Sequence, residues 1–332
     1  MKLWSLQVLR FCAALGVVIF HAGWLTKNVT GQGGLVFAVG DAAGRAGVDV
    51  FFVLSGVIIA TVARGMTPGD FALKRLRRIY PIYLLMVVPW IAFAAIVGTL
   101  DWRSLLSTLT LWPVTDRVTQ PLSPVAWTLC FEMLFYAAAT LVLWRRWTLP
   151  ALLVTYLVAL VAPISALPQF VGSPLCLEFL AGVAISRLPR RRWMTLALPA
   201  GLILLVAFAA LPIASPDAQL DAKGFHDVWI RVATMGVPAA LIVWGTLQSD
   251  ARPGVLSYLG DASYSLYLIH PLVLMLWAAV AGKLLPGAPA DAIALPGILL
   301  AVLAGWRIHE AIEKPLLNAI RPRRATASVV TV

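Results

Sequence analysis

The sequence contains little charge. Only 12% of its 332 residues are Asp, Glu, Lys or Arg, whereas soluble domains contain about 25%. Hydrophobic residues make up 61% of the chain, which is more than the interior of a soluble fold of this length can hold. These two figures exclude an ordinary soluble protein. The hydrophobic share corresponds to about ten membrane-spanning helices of roughly 20 residues each.

Cysteine is scarce as well. The three cysteines, Cys12, Cys130 and Cys176, lie in apolar stretches, and their spacing fits neither a disulfide framework nor a metal site. We therefore expect unpaired packing residues and no metal ion.

Acidic residues are few, 15 against 26 basic ones, which leaves a net charge of +11. In a soluble protein such an excess would suggest nucleic acid. Here the basic residues lie between apolar runs, so we expect no nucleic-acid partner and attribute them to membrane topology.

The apolar segments predict an all-α, polytopic integral membrane protein, a bundle of about ten transmembrane helices. Residues 105–112 are too few to cross and are expected at the membrane interface. We expect a single transmembrane domain over residues 1–320 and a disordered cytoplasmic tail at 321–332. The predicted spans are 4–25, 47–64, 79–98, 125–144, 149–168, 172–188, 194–213, 229–248, 256–282 and 291–312.

The basic residues also predict the orientation of the bundle. If the N-terminus is cytoplasmic, 18 Lys and Arg residues lie on the inner side and 7 on the outer side. Inner loops carry the excess of basic residues in membrane proteins. The count therefore favours a cytoplasmic N-terminus and a cytoplasmic C-terminus.

The first span contains two ionisable residues, Arg10 and His21, which are costly inside a membrane. They are eleven positions apart, close to three helical turns. They therefore lie on one helix face, about 16 Å apart along the axis. An anionic donor could be anchored at the inner cation and react at the deeper imidazole. Alternatively, Arg10 extends to the surface and His21 makes a helix–helix contact.

Two carboxylates are candidates for orienting His21. Asp49 lies at the outer end of the second span at a similar depth and could act as the carboxylate does in hydrolase triads; it could also cap the helix. Glu132, in the fourth span, needs His21 or an arginine as its partner, and a structural ion pair is the alternative. Gly47 and Gly56 are expected to allow close helix packing.

A basic run at residues 74–78 precedes the third predicted span. Arg75 and Arg78 are three residues apart and share a helix face. Two guanidinium groups at this spacing suit phosphate binding. Such clusters also serve only to fix topology or to contact anionic lipid.

His270 lies deep in the ninth span, directly before Pro271. The proline kinks a helix and leaves the carbonyl of Tyr267 without its donor. This polar spot either faces a cavity or forms a hinge closed by neighbouring helices.

Taken together, these stretches resemble the acyltransferase-3 family of integral membrane acyltransferases, most of all its bacterial exopolysaccharide-acetylating branch. The resemblance covers nearly the whole chain, in the order of the family's motifs. The family motifs are Arg10 with His21, residues 47–49 with 55–56, Arg75 with Arg78, residues 127–129 with Glu132 and 135–136, and residues 263–271. The exopolysaccharide-acetylating branch is indicated by residues 6–10, 127–136 and 313–315.

The resemblance implies a ten-helix bundle in the bacterial inner membrane that moves an acyl group, usually acetyl, from cytoplasmic acyl-coenzyme A to a hydroxyl of a polysaccharide or lipid-linked glycan. It also implies that polysaccharide-assembly proteins are candidate partners, and that Arg10 and His21, Arg75 and Arg78 are required. We assign donor binding to the three arginines. Trp127, Tyr136 and His270 are assigned to substrate binding.

Catalysis is assigned to His21 with Glu132 or Asp49. His21 acts either as the general base for the sugar hydroxyl or as a transient acyl carrier, and the sequence leaves both open. A glycan or small-molecule transporter or flippase, and a scaffold in a polysaccharide-assembly complex, are the alternative functions, because buried charges and broken helices also occur in transporters.

Overall fold

The computed structural model describes residues 4–112, 121–162, 165–211, 225–249 and 252–320, which form helices and no strands. The predicted tail at 321–332 lies outside these residues. Within them, nine helices are long and apolar enough to cross a membrane, so the protein is an all-α, multi-pass membrane protein, as predicted. The helices are α1 Trp4–Thr30, α2 Leu35–Val62, α3 Pro68–Ile96, α4 Trp102–Thr110, α5 Trp127–Trp144, α6 Thr148–Val161, α7 Leu167–Ile185, α8 Arg192–Ala209, α9 Val228–Leu247, α10 Val255–Asp261, α11 Ser263–Leu284 and α12 Ala290–Ala319.

Several of these helices contain irregular turns. A π-helical turn at Gly40–Gly44 separates the first part of α2, Leu35–Val39, from the second, Ala46–Val62. Further π-helical turns lie in α9 at Val232–Gly236 and in α12 at His309–Glu313. α7 consists of two helical pieces, of which the first ends at Val171 and the second is Cys176–Ile185. α8 opens with a 3-10 turn, Arg192–Leu196.

The fifth predicted span, 149–168, is shorter than expected. Its helix α6 contains 14 residues and ends at Val161, and a helix of that length rises only about 21 Å. It is therefore a shorter apolar helix than the nine that are long enough to cross a membrane.

Helix α3 begins eleven residues before the predicted boundary at 79. Thr67 caps it by accepting a hydrogen bond from the backbone N–H of Asp70, and Pro68 occupies the first turn. A threonine cap followed by proline is a strong helix start. Arg75 and Arg78 therefore lie on α3 itself, two to three turns inside it, and not in a loop before it.

Helix α1 lies at the centre of the bundle and packs against α2, α9, α10, α11 and α12. Glycines allow its closest contacts: a Cβ at Gly47 of α2 would overlap the carbonyl oxygen of Ala13, and one at Gly260 of α10 would overlap that of Gln7. The expectation that Gly47 serves close packing is confirmed. Arg10 and His21 are thereby surrounded by helices.

Aromatic rings fill the space between α2, α5 and α7. Phe179 stacks on Phe135 at 4.1 Å between ring centroids and on Phe52 at 4.7 Å. Beside this stack the backbones of α2 and α7 touch, since a Cβ at Gly56 or at Gly182 would overlap the other helix's backbone. Gly56 is thus confirmed as a packing residue.

Candidate active site

One large cavity opens between α1, α2, α3, α5 and α11. Its volume is about 1010 Å³, at the upper end of the range of small-molecule sites. Each helix contributes a polar side chain to its wall. These side chains include Arg10, Ser55, Arg75, Glu132 and Tyr267.

Basic residues gather at one end of this cavity, which we call the basic end. Arg10 of α1 and four residues of α3 line it, namely Lys74, Arg75, Arg77 and Arg78. The three arginines chosen from the sequence therefore meet in one site. Since they come from two helices that are far apart in sequence, their convergence is a property of the fold.

Arg75 is held inside the wall of the basic end. It is buried, and its guanidinium carbon lies 5.8 Å from the ring of Phe71 and 5.5 Å from the ring of Tyr136. Such ring contacts stabilise a cation. Its Nε is buried and has no hydrogen-bond partner among the described residues.

Arg78 is held by a buried carboxylate that sequence reasoning used only as part of a motif. Glu313 accepts hydrogen bonds from Arg78 Nη1, from Ser265 Oγ at 2.6 Å and from His309 Nδ1 at 2.7 Å. Its side chain is fully buried. A carboxylate with three donors fixes the direction of the guanidinium. The signal in the sequence was the spacing of four between His309 and Glu313, which places both on one helix face.

Glu132 lines the cavity, and among the described residues it contacts neither His21 nor an arginine, which corrects the expectation for its partner. Its carboxylate accepts from Ser55 Oγ at 2.6 Å and from Tyr136 O–H at 3.4 Å. Two hydroxyls satisfy it without a second charge. Tyr136 therefore joins Glu132 and Arg75 on the same wall.

Asp49 does not contact His21 either. Arg231 donates to both of its oxygens, from Nε at 3.0 Å and from Nη2 at 2.7 Å, and Asp49 is fully buried. A two-pronged guanidinium stabilises a buried carboxylate better than a neutral imidazole does. The expected orienting contact is therefore absent, and Arg231, which the sequence analysis counted only among the outer-side basic residues, was the partner missed.

His21 instead contacts His270. Nδ1 of His21 lies 3.3 Å from Nε2 of His270, and the ring centroids are 5.0 Å apart. His270 is fully buried. The two residues that sequence reasoning placed in different roles thus form one pair.

The histidine pair lies just beyond the deep end of the cavity. Thr128 and Tyr267 line that end and hydrogen-bond each other at 2.9 Å. The ring of Tyr267 lies 5.9 Å from that of His270 and 5.9 Å from that of Phe51, which also lines the cavity.

Trp127 of α5 lies beside the deep end of the cavity, where its ring makes edge contacts with Phe52 and Phe131. The three residues assigned to substrate binding are thus distributed: Tyr136 lines the cavity, His270 pairs with His21, and Trp127 packs in the aromatic cluster. Within the described ranges no three His, Cys, Asp or Glu side chains gather as a metal site would require.

Comparison with known proteins bears on this architecture. The sequence profile of the acyltransferase-3 family, described as an acyltransferase domain, matches residues 3–307. The exopolysaccharide production protein ExoZ of Rhizobium meliloti (strain 1021) is 33% identical over 312 residues, 86% of this chain and 93% of that protein. The acyltransferase MdmB of Streptomyces mycarofaciens is 27% identical over 368 residues, 98% of this chain and 95% of that protein. No solved structure matches the chain.

The profile covers the described helices from α1 into α12, and with them the basic end and the histidine pair. The chain therefore belongs to the acyltransferase-3 family and is a multi-pass membrane O-acyltransferase.

Proposed function

We propose that this enzyme transfers an acyl group, with acetyl as the first candidate, from acyl-coenzyme A to a hydroxyl of a polysaccharide or lipid-linked glycan. The observation that carries the proposal is the cavity, which is cationic at one end and meets the histidine pair at the other. A donor with an anionic head and a reactive far end matches this polarity.

The basic end fits the phosphates of coenzyme A. Arg10, Arg75 and Arg78 supply planar guanidinium donors, which suit phosphate oxygens better than a point charge does. The rings of Phe71 and Tyr136 hold Arg75, while Glu313 holds Arg78 in place. We assign these arginines to the donor's phosphates and Glu132, with Ser55 and Tyr136, to the middle of the donor's arm.

His21 is assigned as the general base. As the acceptor hydroxyl attacks the thioester carbonyl carbon, Nε2 of His21 takes the hydroxyl proton and a carbon–oxygen bond forms. When the tetrahedral adduct collapses, the carbon–sulfur bond breaks and the departing sulfur takes up that proton. His21 is then neutral again, and the products are the ester and the free thiol. Tyr267 lines the cavity next to the histidine pair, with its ring 5.9 Å from that of His270.

The acceptor class and location rest on two observations. One relative is a protein of exopolysaccharide production by name, which supports a carbohydrate acceptor and polysaccharide-assembly proteins as partners. The basic residues concentrate on the side of the basic end, which supports entry of the donor from the cytoplasm across a bacterial inner membrane.

Replacing His21 with Ala tests the proposal. Transfer of radiolabelled acetyl from acetyl-coenzyme A by the purified protein should fall by on the order of 10²–10⁴, the usual contribution of a general base. O-acetyl in surface and secreted glycans of cells that carry only this variant should disappear. Mass spectrometry of the same glycans identifies the acyl group.

Thr26→Val is the matched control. Thr26 is a buried residue of the same helix, and its hydroxyl bonds only to carbonyls of its own helix, Ala22 and Gly23. It should transfer acetyl at the wild-type rate. Near-normal acetylation by His21→Ala would contradict the assignment of the base, and a wild-type protein that leaves acetyl-coenzyme A unchanged would contradict the proposed reaction.

A further inference from the structure

His21 and His270 make three contacts that together fix where their protons lie. Nδ1 of His21 lies 2.9 Å from the carbonyl oxygen of Val17 and 3.3 Å from Nε2 of His270. Nδ1 of His270 lies 3.2 Å from the carbonyl oxygen of Leu266. Because His270 is fully buried, its hydrogen bonds have to be made inside the protein.

A carbonyl oxygen only accepts hydrogen bonds, so an Nδ1 that faces a carbonyl carries the proton. Neutral His270 then has a bare Nε2, which accepts from the Nδ1–H of His21. The reverse assignment, with the proton on Nε2 of His270, would point the lone pair of His21 Nδ1 at the carbonyl of Val17. One assignment therefore satisfies all three contacts, with the single Nδ1–H of His21 shared between the carbonyl of Val17 and Nε2 of His270. It leaves the lone pair of His21 on Nε2.

The local sequence supports the position of the His270 ring. Pro271 follows in α11 and has no N–H, so the carbonyl of Tyr267 lacks its helical donor. The carbonyl of Leu266, about one helical turn before His270, faces Nδ1 of its ring at 3.2 Å. This carbonyl acceptor holds the proton of His270 on Nδ1.

We propose that His270 is the positioning residue of the catalytic base: it accepts the Nδ1–H of His21 and keeps the Nε2 lone pair of His21 free for the acceptor hydroxyl. The proposal rests on the proposed function. When Nε2 takes the hydroxyl proton, the bond from Nδ1 to His270 becomes charge-assisted and roughly twice as strong as a neutral one. His270 thus takes the place that a carboxylate takes in a hydrolase triad, and a neutral ring costs less to bury than a carboxylate.

The first test locates the ring protons of the two histidines and does not depend on enzyme activity. The chain contains only four histidines, so nitrogen-15 NMR of the purified protein labelled on histidine yields few signals. His21 and His270 should both carry the proton on Nδ1 at neutral pH, and the His270→Gln spectrum assigns the second pair of signals. A proton on Nε2 of His21 would overturn the proposal, whatever reaction the enzyme catalyses.

The second test distinguishes a hydrogen-bond acceptor at position 270 from a side chain that only fills space. His270→Leu should lower kcat by on the order of tenfold to hundredfold, the usual loss when a residue that orients a functional histidine is removed. It should leave KM for acetyl-coenzyme A unchanged, because the basic end is intact. In His270→Gln the amide oxygen lies near the position of Nε2 and can accept the same hydrogen bond, so this variant should recover most of the lost rate.

The control is Trp277→Phe, on the same helix as His270. This change removes one hydrogen bond, from the indole N–H of Trp277 to the carbonyl of Ile293. It should match the wild type. Equal activity in His270→Leu and wild type, or equal loss in the Leu and Gln variants with both proteins folded, would overturn the role of His270. A wild-type enzyme without acetyl transfer would instead overturn the proposed function, and the NMR result would still decide the proton positions.

Discussion

Two buried carboxylates of this protein, Asp49 and Glu313, are each matched by an arginine from another helix. Asp49 of α2 takes Arg231 of α9, and Glu313 of α12 takes Arg78 of α3. A buried charge that loses its partner is strongly unfavourable, while replacing the whole pair with apolar residues is often neutral. Both pairs therefore lock helices together, and the second also holds Arg78 at the basic end of the cavity.

Asp49→Asn should destabilise the protein by about 3–5 kcal/mol, because the buried guanidinium of Arg231 loses its counter-charge. The double variant Asp49→Leu with Arg231→Met should recover most of this stability and the acyltransferase activity. Thermal unfolding in detergent and acetyl transfer measure the two effects.

The double variant decides between a structural and a catalytic Asp49. A folded double variant that transfers no acetyl would show that Asp49 or Arg231 takes part in the reaction after all. Arg231→Met alone is the matched single change and should be as unstable as Asp49→Asn, since it leaves the carboxylate buried and unpaired.

The charges of the candidate site could be predicted from the sequence, but their partners could not. Arg10, Arg75 and Arg78 were identifiable because ionisable groups stand out in apolar segments, and they do line one cavity. The partner of His21 was not identifiable, because its choice between Asp49 and His270 depends on Arg231, whose contact with Asp49 spans 182 residues.

Helices pack closely here where glycine removes the side chain. The sequence predicted the helices and their order from apolar length alone, and it located Gly56 as a packing position. It could not predict that α2 starts at Leu35, because the carboxylate of Asp291 from α12 accepts the first N–H groups of that helix, at 2.8 Å from Leu35 and 2.9 Å from Val36. A helix cap supplied from another helix leaves no local signal.

Gly56→Ala should lower the unfolding temperature in detergent, because the added Cβ would overlap the backbone of α7 at Phe179 and Gly182. Overpacking of this kind costs about 1–3 kcal/mol. Gly69→Ala is the control on α3: nothing lies within 4 Å of its Cβ position, so the lost glycine flexibility should stabilise the protein by about 0.5–1 kcal/mol. Equal unfolding temperatures for the two variants would contradict the packing role of Gly56.

The whole bundle is polarised along its axis, and this polarity links topology to the reaction. The basic end of the cavity lies where α1 begins and where α2 connects to α3, and the histidine pair lies about 16 Å further along α1. Since acyl-coenzyme A is cytoplasmic, the proposed reaction requires the basic end to face the cytoplasm. Orientation is therefore a test of the proposed donor that does not depend on measuring activity.

Single cysteines on the two sides of α2 measure this orientation. In a variant whose three native cysteines are replaced by alanine, Gln32→Cys lies between α1 and α2 and Arg64→Cys lies between α2 and α3, both at exposed positions. In right-side-out spheroplasts a membrane-impermeant maleimide should label Gln32→Cys at once and Arg64→Cys only after permeabilisation, because the basic side stays inside. The reverse labelling would place the basic end outside, where a cytoplasmic donor cannot reach Arg75 and Arg78, and would refute acyl-coenzyme A as the donor bound there.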